Sequence, residues 1–176
     1  DRGHHGVELW VNLRCPVGFL DNEPQYLKRQ DFVVVHAKPR VLIVRVQHPL
    51  MMGLLVVAHG PQSGCPRSER EDWWTQFSQT LGQSKLTSKE IVFCMLDANA
   101  ATGPRAFPHV GDHDDEVTVN TNLMRDFLFS HDLCLPASHP VHQGSSATWF
   151  SPDGRHECRI DYVVVPCDLL PYCTFS

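Results

Sequence analysis

Two acidic strand ends carry the chemistry that can be read in this chain. Ile91-Val92-Phe93-Cys94-Met95-Leu96 is a short apolar run that closes on Asp97-Ala98-Asn99-Ala100, and Arg159-Ile160-Asp161-Tyr162 leads into Val163-Val164-Val165. Each pattern predicts a buried strand with a carboxylate at one end. A strand fixes such a group in open α/β sheets, while the adjoining loop leaves room for a ligand. A carboxylate held there can orient or deprotonate water, or steady a histidine in one tautomer.

The elements that must position these groups alternate between strand and helix. Gly6–Asn12 alternates Val7, Leu9 and Val11 with Glu8, Trp10 and Asn12, the period of a half-buried strand. Phe32–Ala37 and Val41–Val46 are β-branched runs broken by Lys38-Pro39, which predicts adjacent antiparallel strands. Leu54–Ala58 reads as a buried strand halted by Gly60-Pro61. Ser68 and Glu71 form a capping-box pattern, and Trp73, Trp74, Phe77 and Leu81 then follow at helical spacing up to Gly82. A second helix is expected over Thr121–His131, after a loop rich in Gly, Pro, His and Asp from Ala101 to Val117. Ala147–Phe150 and Arg159–Val165 read as a strand pair joined by the turn Ser151-Pro152-Asp153-Gly154.

Composition narrows the class. With 176 residues, 42% of them apolar, the chain suits one domain with a real core. No run approaches the roughly 18 apolar residues of a membrane span, so a protein with no membrane partner is expected. The seven cysteines, Cys15, Cys65, Cys94, Cys134, Cys158, Cys167 and Cys173, form no Cys-x-x-Cys pair and are odd in number, a usage that fits a reducing intracellular setting. A formal charge of -5 excludes a module that holds nucleic acid by a strong basic excess alone. The chain opens on Asp1-Arg2-Gly3 and stops on Thr174-Phe175-Ser176, which reads as the middle of a longer polypeptide.

Four motifs arrive in one order: His59-Gly60-Pro61-Gln62, Leu96-Asp97-Ala98-Asn99-Ala100, Thr148-Trp149 and Arg159-Ile160-Asp161-Tyr162. This order resembles the endonuclease/exonuclease/phosphatase superfamily of metal-dependent phosphodiesterases, with the strongest likeness to endonuclease domains of LINE-type retrotransposon proteins. The likeness runs from about Gly6 to the end. It implies an α/β fold: a four-layer sandwich of two packed mixed β-sheets flanked by helices (DNase I-like), here a single partial domain over residues 1–176 that is incomplete at both termini.

The same resemblance implies roles. Asp97 matches the aspartate that orients or deprotonates the attacking water, and Asn99 the amide that hydrogen-bonds the scissile phosphate. Asp161 matches the aspartate that holds a catalytic histidine, and Thr148 a hydroxyl near the phosphate. His59 and Gln62 stand where relatives have a tyrosine and an asparagine; both keep a hydrogen-bonding group, with His59 placed among the catalytic residues and Gln62 among the substrate contacts. The implied cofactor is Mg²⁺ or Mn²⁺. Its principal glutamate ligand and the catalytic histidine of the family are absent from this sequence, so no metal ligand is assigned; Glu8 matches the strand after that glutamate. The implied function is endonucleolytic nicking of DNA by a retroelement-type protein. A reverse transcriptase is the implied covalent neighbour, nuclear action follows if the protein is retroelement-derived, and the isolated fragment is expected to be inactive. A phosphatase or lipid phosphodiesterase of the same fold is one alternative, and a degenerate nucleic-acid-binding or structural domain is another.

Plainer readings compete. Asp97-Ala98-Asn99 alone is an ordinary turn after a strand, Arg159 and Asp161 can form a structural ion pair, and His59 can be a structural histidine. Trp73, Trp74 and Phe77 are assigned to packing rather than base stacking. His4-His5 and His109-Val110-Gly111-Asp112-His113-Asp114-Asp115 raise a non-catalytic zinc or other transition-metal module, set against the reading of that loop as a solvated surface.

Overall fold

A computed structural model describes residues 6–87, 90–112, 117–140, 143–144 and 147–173. β1 (Pro16–Leu20) and β2 (Glu23–Tyr26) form a small antiparallel ribbon. Its turn residues Asp21 and Asn22 have φ of 50° and 65°, the left-handed pair that a two-residue hairpin loop requires. β3 (Phe32–Lys38), β4 (Val41–His48) and β5 (Met51–His59) follow as an antiparallel meander. α1 (Arg67–Ser84) crosses over to β6 (Ile91–Asp97), which lies parallel to β5, as a parallel connection needs a helix to return the chain. α2 (Val119–His131) leads to β7 (Leu133–Cys134). β8 (Trp149–Phe150) and β9 (Glu157–Cys158) make a second small ribbon before β10 (Asp161–Pro166).

The main sheet has six strands in the order β3-β4-β5-β6-β10-β7. One of its faces is covered by both helices. Ile43, Leu54, Val56, Val92, Cys94, Leu96 and Val164 meet Trp74, Phe77, Leu81, Met124, Phe127 and Leu128 there. Full burial of each large side chain contributes about 1.5–3 kcal/mol. Phe77 of α1 stacks on Phe127 of α2 with ring centroids 4.6 Å apart, which locks the helices together. Trp74 and Phe77 are 2% and 1% exposed, so these aromatics are core.

Arg45 fixes the entry of β6. Its Nε donates to Glu90 at 2.8 Å, and its Nη2 donates to the Ser84 carbonyl at the end of α1. β6 therefore starts from a pinned point and delivers Asp97 at its far end.

Several local expectations change. Residues 6–12 are not a strand: Trp10 is 87% exposed, and its indole N–H turns back onto Glu8 at 2.9 Å. Alternation supplies a face, and a strand also needs a partner ladder. α1 starts at Arg67 without a side-chain cap, and Glu71 binds Arg67 at 2.7 Å instead of closing a box with Ser68. The helix passes Gly82 and ends at Ser84. α2 begins two residues early because Thr118 and Thr121 cap it reciprocally. The hairpin around Ser151–Gly154 exists, but it joins β8 to β9; β10 leaves that ribbon and enters the main sheet beside β6. Among the described residues, no helix is long and apolar enough to cross a membrane.

Candidate active site

Strand register brings three expected site residues into one row. His59 ends β5 and pairs with Asp97 at the end of β6, while Asp161 opens β10 directly opposite Asp97. Adjacent strands lie about 4.8 Å apart, so the three side chains share one edge of the sheet. His59 Nε2 lies 3.4 Å from Asp97 Oδ2. The other oxygen of Asp97, Oδ1, accepts the Asn99 backbone N–H at 3.2 Å.

Asp97 is only partly exposed, and that shapes its acidity. Burial, then the nearby charge of Asp161, push its carboxyl above the ordinary carboxylate range; His59, the Asn99 N–H and Arg40 pull the other way without reversing the shift. A carboxylate raised in this way is a better proton acceptor near neutral pH.

The loops behind this row are tied tightly. Asn99 sits at φ 46°, a left-handed conformation that asparagine tolerates better than most residues. Its side-chain amide donates to the Gly60 carbonyl at 3.0 Å, which also accepts from Arg40 at 3.1 Å. Gly60 N–H donates in return to the Asp97 carbonyl at 2.7 Å. A Cβ on Gly60 would stand 3.0 Å from the Ala98 carbonyl oxygen, so the close approach of the β5 and β6 loops favours glycine.

Thr148 acts through the backbone. Its Oγ1 accepts the N–H groups of both Ile160 and Asp161 at 3.1 Å, fixing where β10 begins. The Tyr162 hydroxyl lies 2.9 Å from the Ala100 carbonyl and 2.8 Å from that of Arg159, linking the two acidic strand ends from below.

Two open depressions adjoin the row. His59, Asp97, Thr148, Arg159 and Asp161 line one of about 530 Å³, and Gln62, Asn99, Thr118, Trp149 and His156 belong to a neighbouring one of about 640 Å³. The structure thus gathers His59, Asp97, Asp161 and Thr148 at one surface, with Asn99 and Gln62 on the adjoining one.

Asn120 is the residue that sequence reasoning missed. It is fully buried in the first turn of α2, and its amide donates to the carbonyls of Pro61 at 2.9 Å and Asn99 at 3.0 Å. One side chain therefore clips both site loops to the helix. The available signal was a polar residue beside a helix start, which usually marks a cap.

The loop flagged as a transition-metal alternative lies elsewhere. His109 Nδ1 contacts the Leu133 carbonyl at 2.7 Å, Val110 is fully buried and Gly111 N–H donates to Ser138 Oγ, so this part of the loop is packed rather than a solvated surface. His4, His5, His113, Asp114 and Asp115 lie outside the described residues.

No family model matches the sequence, and no curated protein matches it. Solved structures share its fold. The endonuclease domain of TRAS1, a telomere-specific non-LTR retrotransposon, superposes with a TM-score of 0.53 at 15% identity, over 88% of this chain and 66% of that domain. The AP endonuclease LMAP from Leishmania major gives 0.50 at 14% identity over 78% of this chain and 49% of its own length. The catalytic domain of Xenopus laevis APE2 gives 0.50 at 16% identity over 77% and 48%. The fold is the DNase I-like α/β fold. This chain spans less than two thirds of the length of each of these three structures.

Proposed function

We propose that this chain is part of a metal-dependent phosphodiester hydrolase that nicks DNA within a retroelement-type protein. The observation that carries the reading is the in-register row His59–Asp97–Asp161 across β5, β6 and β10. The coverage of 88% of the chain by a retrotransposon endonuclease domain supports the retroelement assignment, and the likeness to the AP endonuclease LMAP supports an endonuclease reading.

In this reading Asp97 takes the proton of the attacking water, helped by its raised pKa. His59 steadies the Asp97 carboxylate from the side of β5. Asn99 uses one amide N–H to hold Gly60 and offers the second to a phosphate oxygen. Asp161 orients a histidine, and Thr148 fixes the backbone from which Asp161 projects. Gln62 contacts the strand that leaves past Asn99.

The donors at this edge suit Mg²⁺ or Mn²⁺ in kind, being hard carboxylate oxygens whose mutual repulsion a cation relieves. Asp97 and Asp161 are the residues of this chain that would face such an ion. When bound, it supplies charge stabilisation at the scissile phosphate. Among the described residues no group of three ligating side chains gathers here, so the isolated chain is proposed to hold the ion weakly and to cleave little.

The test presents supercoiled plasmid, a small phosphomonoester and a phospholipid headgroup ester, each with Mg²⁺, to the full reading frame that carries these residues. Nicking of the plasmid with no turnover of the other two is the expected pattern. Turnover confined to the phosphomonoester or the lipid ester would overturn the endonuclease reading.

A further inference from the structure

The chain carries a second cluster of ligating side chains, at the end of β10 remote from Asp161. His109, Asp132 and Cys167 bring one donor atom each within 4.8 Å of one another. The nearby thiol of Cys134 stands outside that group and donates to the Pro166 carbonyl at 3.9 Å. β10 is six residues long, which places this cluster roughly 20 Å from the Asp97 edge.

We propose that His109, Asp132 and Cys167 form a zinc site whose fourth position is taken by water. Imidazole nitrogen, carboxylate oxygen and one thiolate sulfur, the Cys167 proton leaving to solvent as the ion binds, are a mixed donor set that zinc accepts in a four-coordinate tetrahedral site completed by water, whereas Mg²⁺ prefers oxygen donors alone. Three features of the fold favour it.

The first is preorganisation. The Cys167 N–H donates to the Asp132 carbonyl at 3.0 Å, and the Leu135 N–H donates to the His109 carbonyl at 2.9 Å, so the backbones bearing the ligands are already fastened to one another. β7 and β10, which adjoin Asp132 and Cys167, are themselves paired through Cys134 and Val165. Little further ordering is needed when an ion arrives.

The second is the field. Asp132 is the residue that ends α2, in a left-handed conformation at φ 54°, and its own N–H caps the carbonyls of Leu128 and Phe129. The C-terminal end of a helix favours a cation. Asp132 is also exposed, which leaves an entry path from solvent.

The third is the state of His109. Its Nδ1 lies 2.7 Å from the Leu133 carbonyl and 3.4 Å from Cys167 Sγ. Zinc ligation exchanges the Leu133 hydrogen bond for a metal bond, with the ring proton moving from Nδ1 to Nε2 through water so that Nδ1 binds, or with the ring turned to present its unprotonated Nε2. A metal–imidazole bond outweighs one such hydrogen bond. The T-shaped contact of His109 on Phe129, 4.5 Å between centroids, keeps the ring in the cluster during that exchange.

The site ties the loop before α2, the end of α2 and the end of β10 into one unit. It is independent of catalysis at Asp97. The experiment is a Co²⁺ titration of the chelator-treated, thiol-reduced full chain, followed by displacement with Zn²⁺. One equivalent of Co²⁺ should give tetrahedral d–d bands with a thiolate-to-cobalt charge-transfer band, and Zn²⁺ should erase both and raise Tm. Cys167→Ser should remove most of the charge-transfer intensity. Asp132→Asn, a substitution at an exposed position that tolerates the left-handed backbone, should weaken Co²⁺ binding at least tenfold without altering the fold. Asp97→Ala should leave the spectrum unchanged, which separates this site from the catalytic edge. The proposal is overturned by a Co²⁺ spectrum without thiolate intensity, by binding unaffected in both Cys167→Ser and Asp132→Asn, or by no stoichiometric binding at all.

Discussion

Asp97 and Asp161 stand directly opposite each other on antiparallel β6 and β10, so the sheet holds two carboxylates together at one edge. Like charges in facing positions of a sheet destabilise it by about 0.2–1 kcal/mol. Replacing Asp161 by Asn should therefore raise the urea midpoint of the chain at pH 7 while removing the side chain proposed to orient a histidine. A lower midpoint would show that the pair stabilises the strand ends.

The acidity of Asp97 gives that penalty a pH signature. Burial, followed by the charge of Asp161, holds its folded-state carboxyl above the unfolded value of 3.8. The folded state thus binds more protons than the unfolded state in the window above 3.8, and stability falls as pH rises through it. Urea midpoints measured from pH 3.5 to 7 should show wild type losing ground to Asp97→Asn as pH rises. Parallel curves for the two proteins would contradict the shift.

Asn99 combines a backbone requirement with a hydrogen bond, and two substitutions separate them. Asn99→Gly keeps the left-handed turn at φ 46° but loses the bond to Gly60, whereas Asn99→Ala loses the bond and strains the backbone as well. Alanine should cost about 1–2 kcal/mol more than glycine by chemical denaturation. Both should impair phosphodiester cleavage, since either one removes the amide.

Thr148 should separate positioning from bulk. Its hydroxyl accepts two N–H groups at the start of β10, which Ser can reproduce and Val cannot. Thr148→Val should cost about 1 kcal/mol and lower kcat, and Thr148→Ser should restore most of both. A harmless Thr148→Val beside a damaging Thr148→Ser would show that the methyl group, rather than the hydroxyl, matters.

The sequence made the strands of the main sheet readable where apolar runs were long and clearly bounded. β3 and β4 announce themselves through β-branched runs interrupted at Lys38-Pro39, and Asp97 and Asp161 mark the ends of β6 and β10. Partner choice was harder. Nothing local in Arg159–Val165 says that β10 pairs with β6 rather than with β8, because register between distant strands is settled by the shared core. β1 and β2 were hidden by Pro16, Gly18 and Pro24, residues that weaken a strand pattern. Asn120 and the His109–Cys167 pair were invisible for a related reason. Their partners are 59 and 58 residues away in the chain, and only folding brings them together.

Asp97 as the group that activates water is the central claim, and one comparison tests it most directly. Supercoiled plasmid is incubated with Mg²⁺ and the full reading frame carrying these residues, beside its Asp97→Ala variant, with folding checked by circular dichroism. Loss of a general base lowers the rate by about 10²–10⁴-fold, so the variant should leave the plasmid supercoiled while wild type relaxes it. Equal nicking by the two proteins would contradict the account, and so would failure of wild type to nick at all.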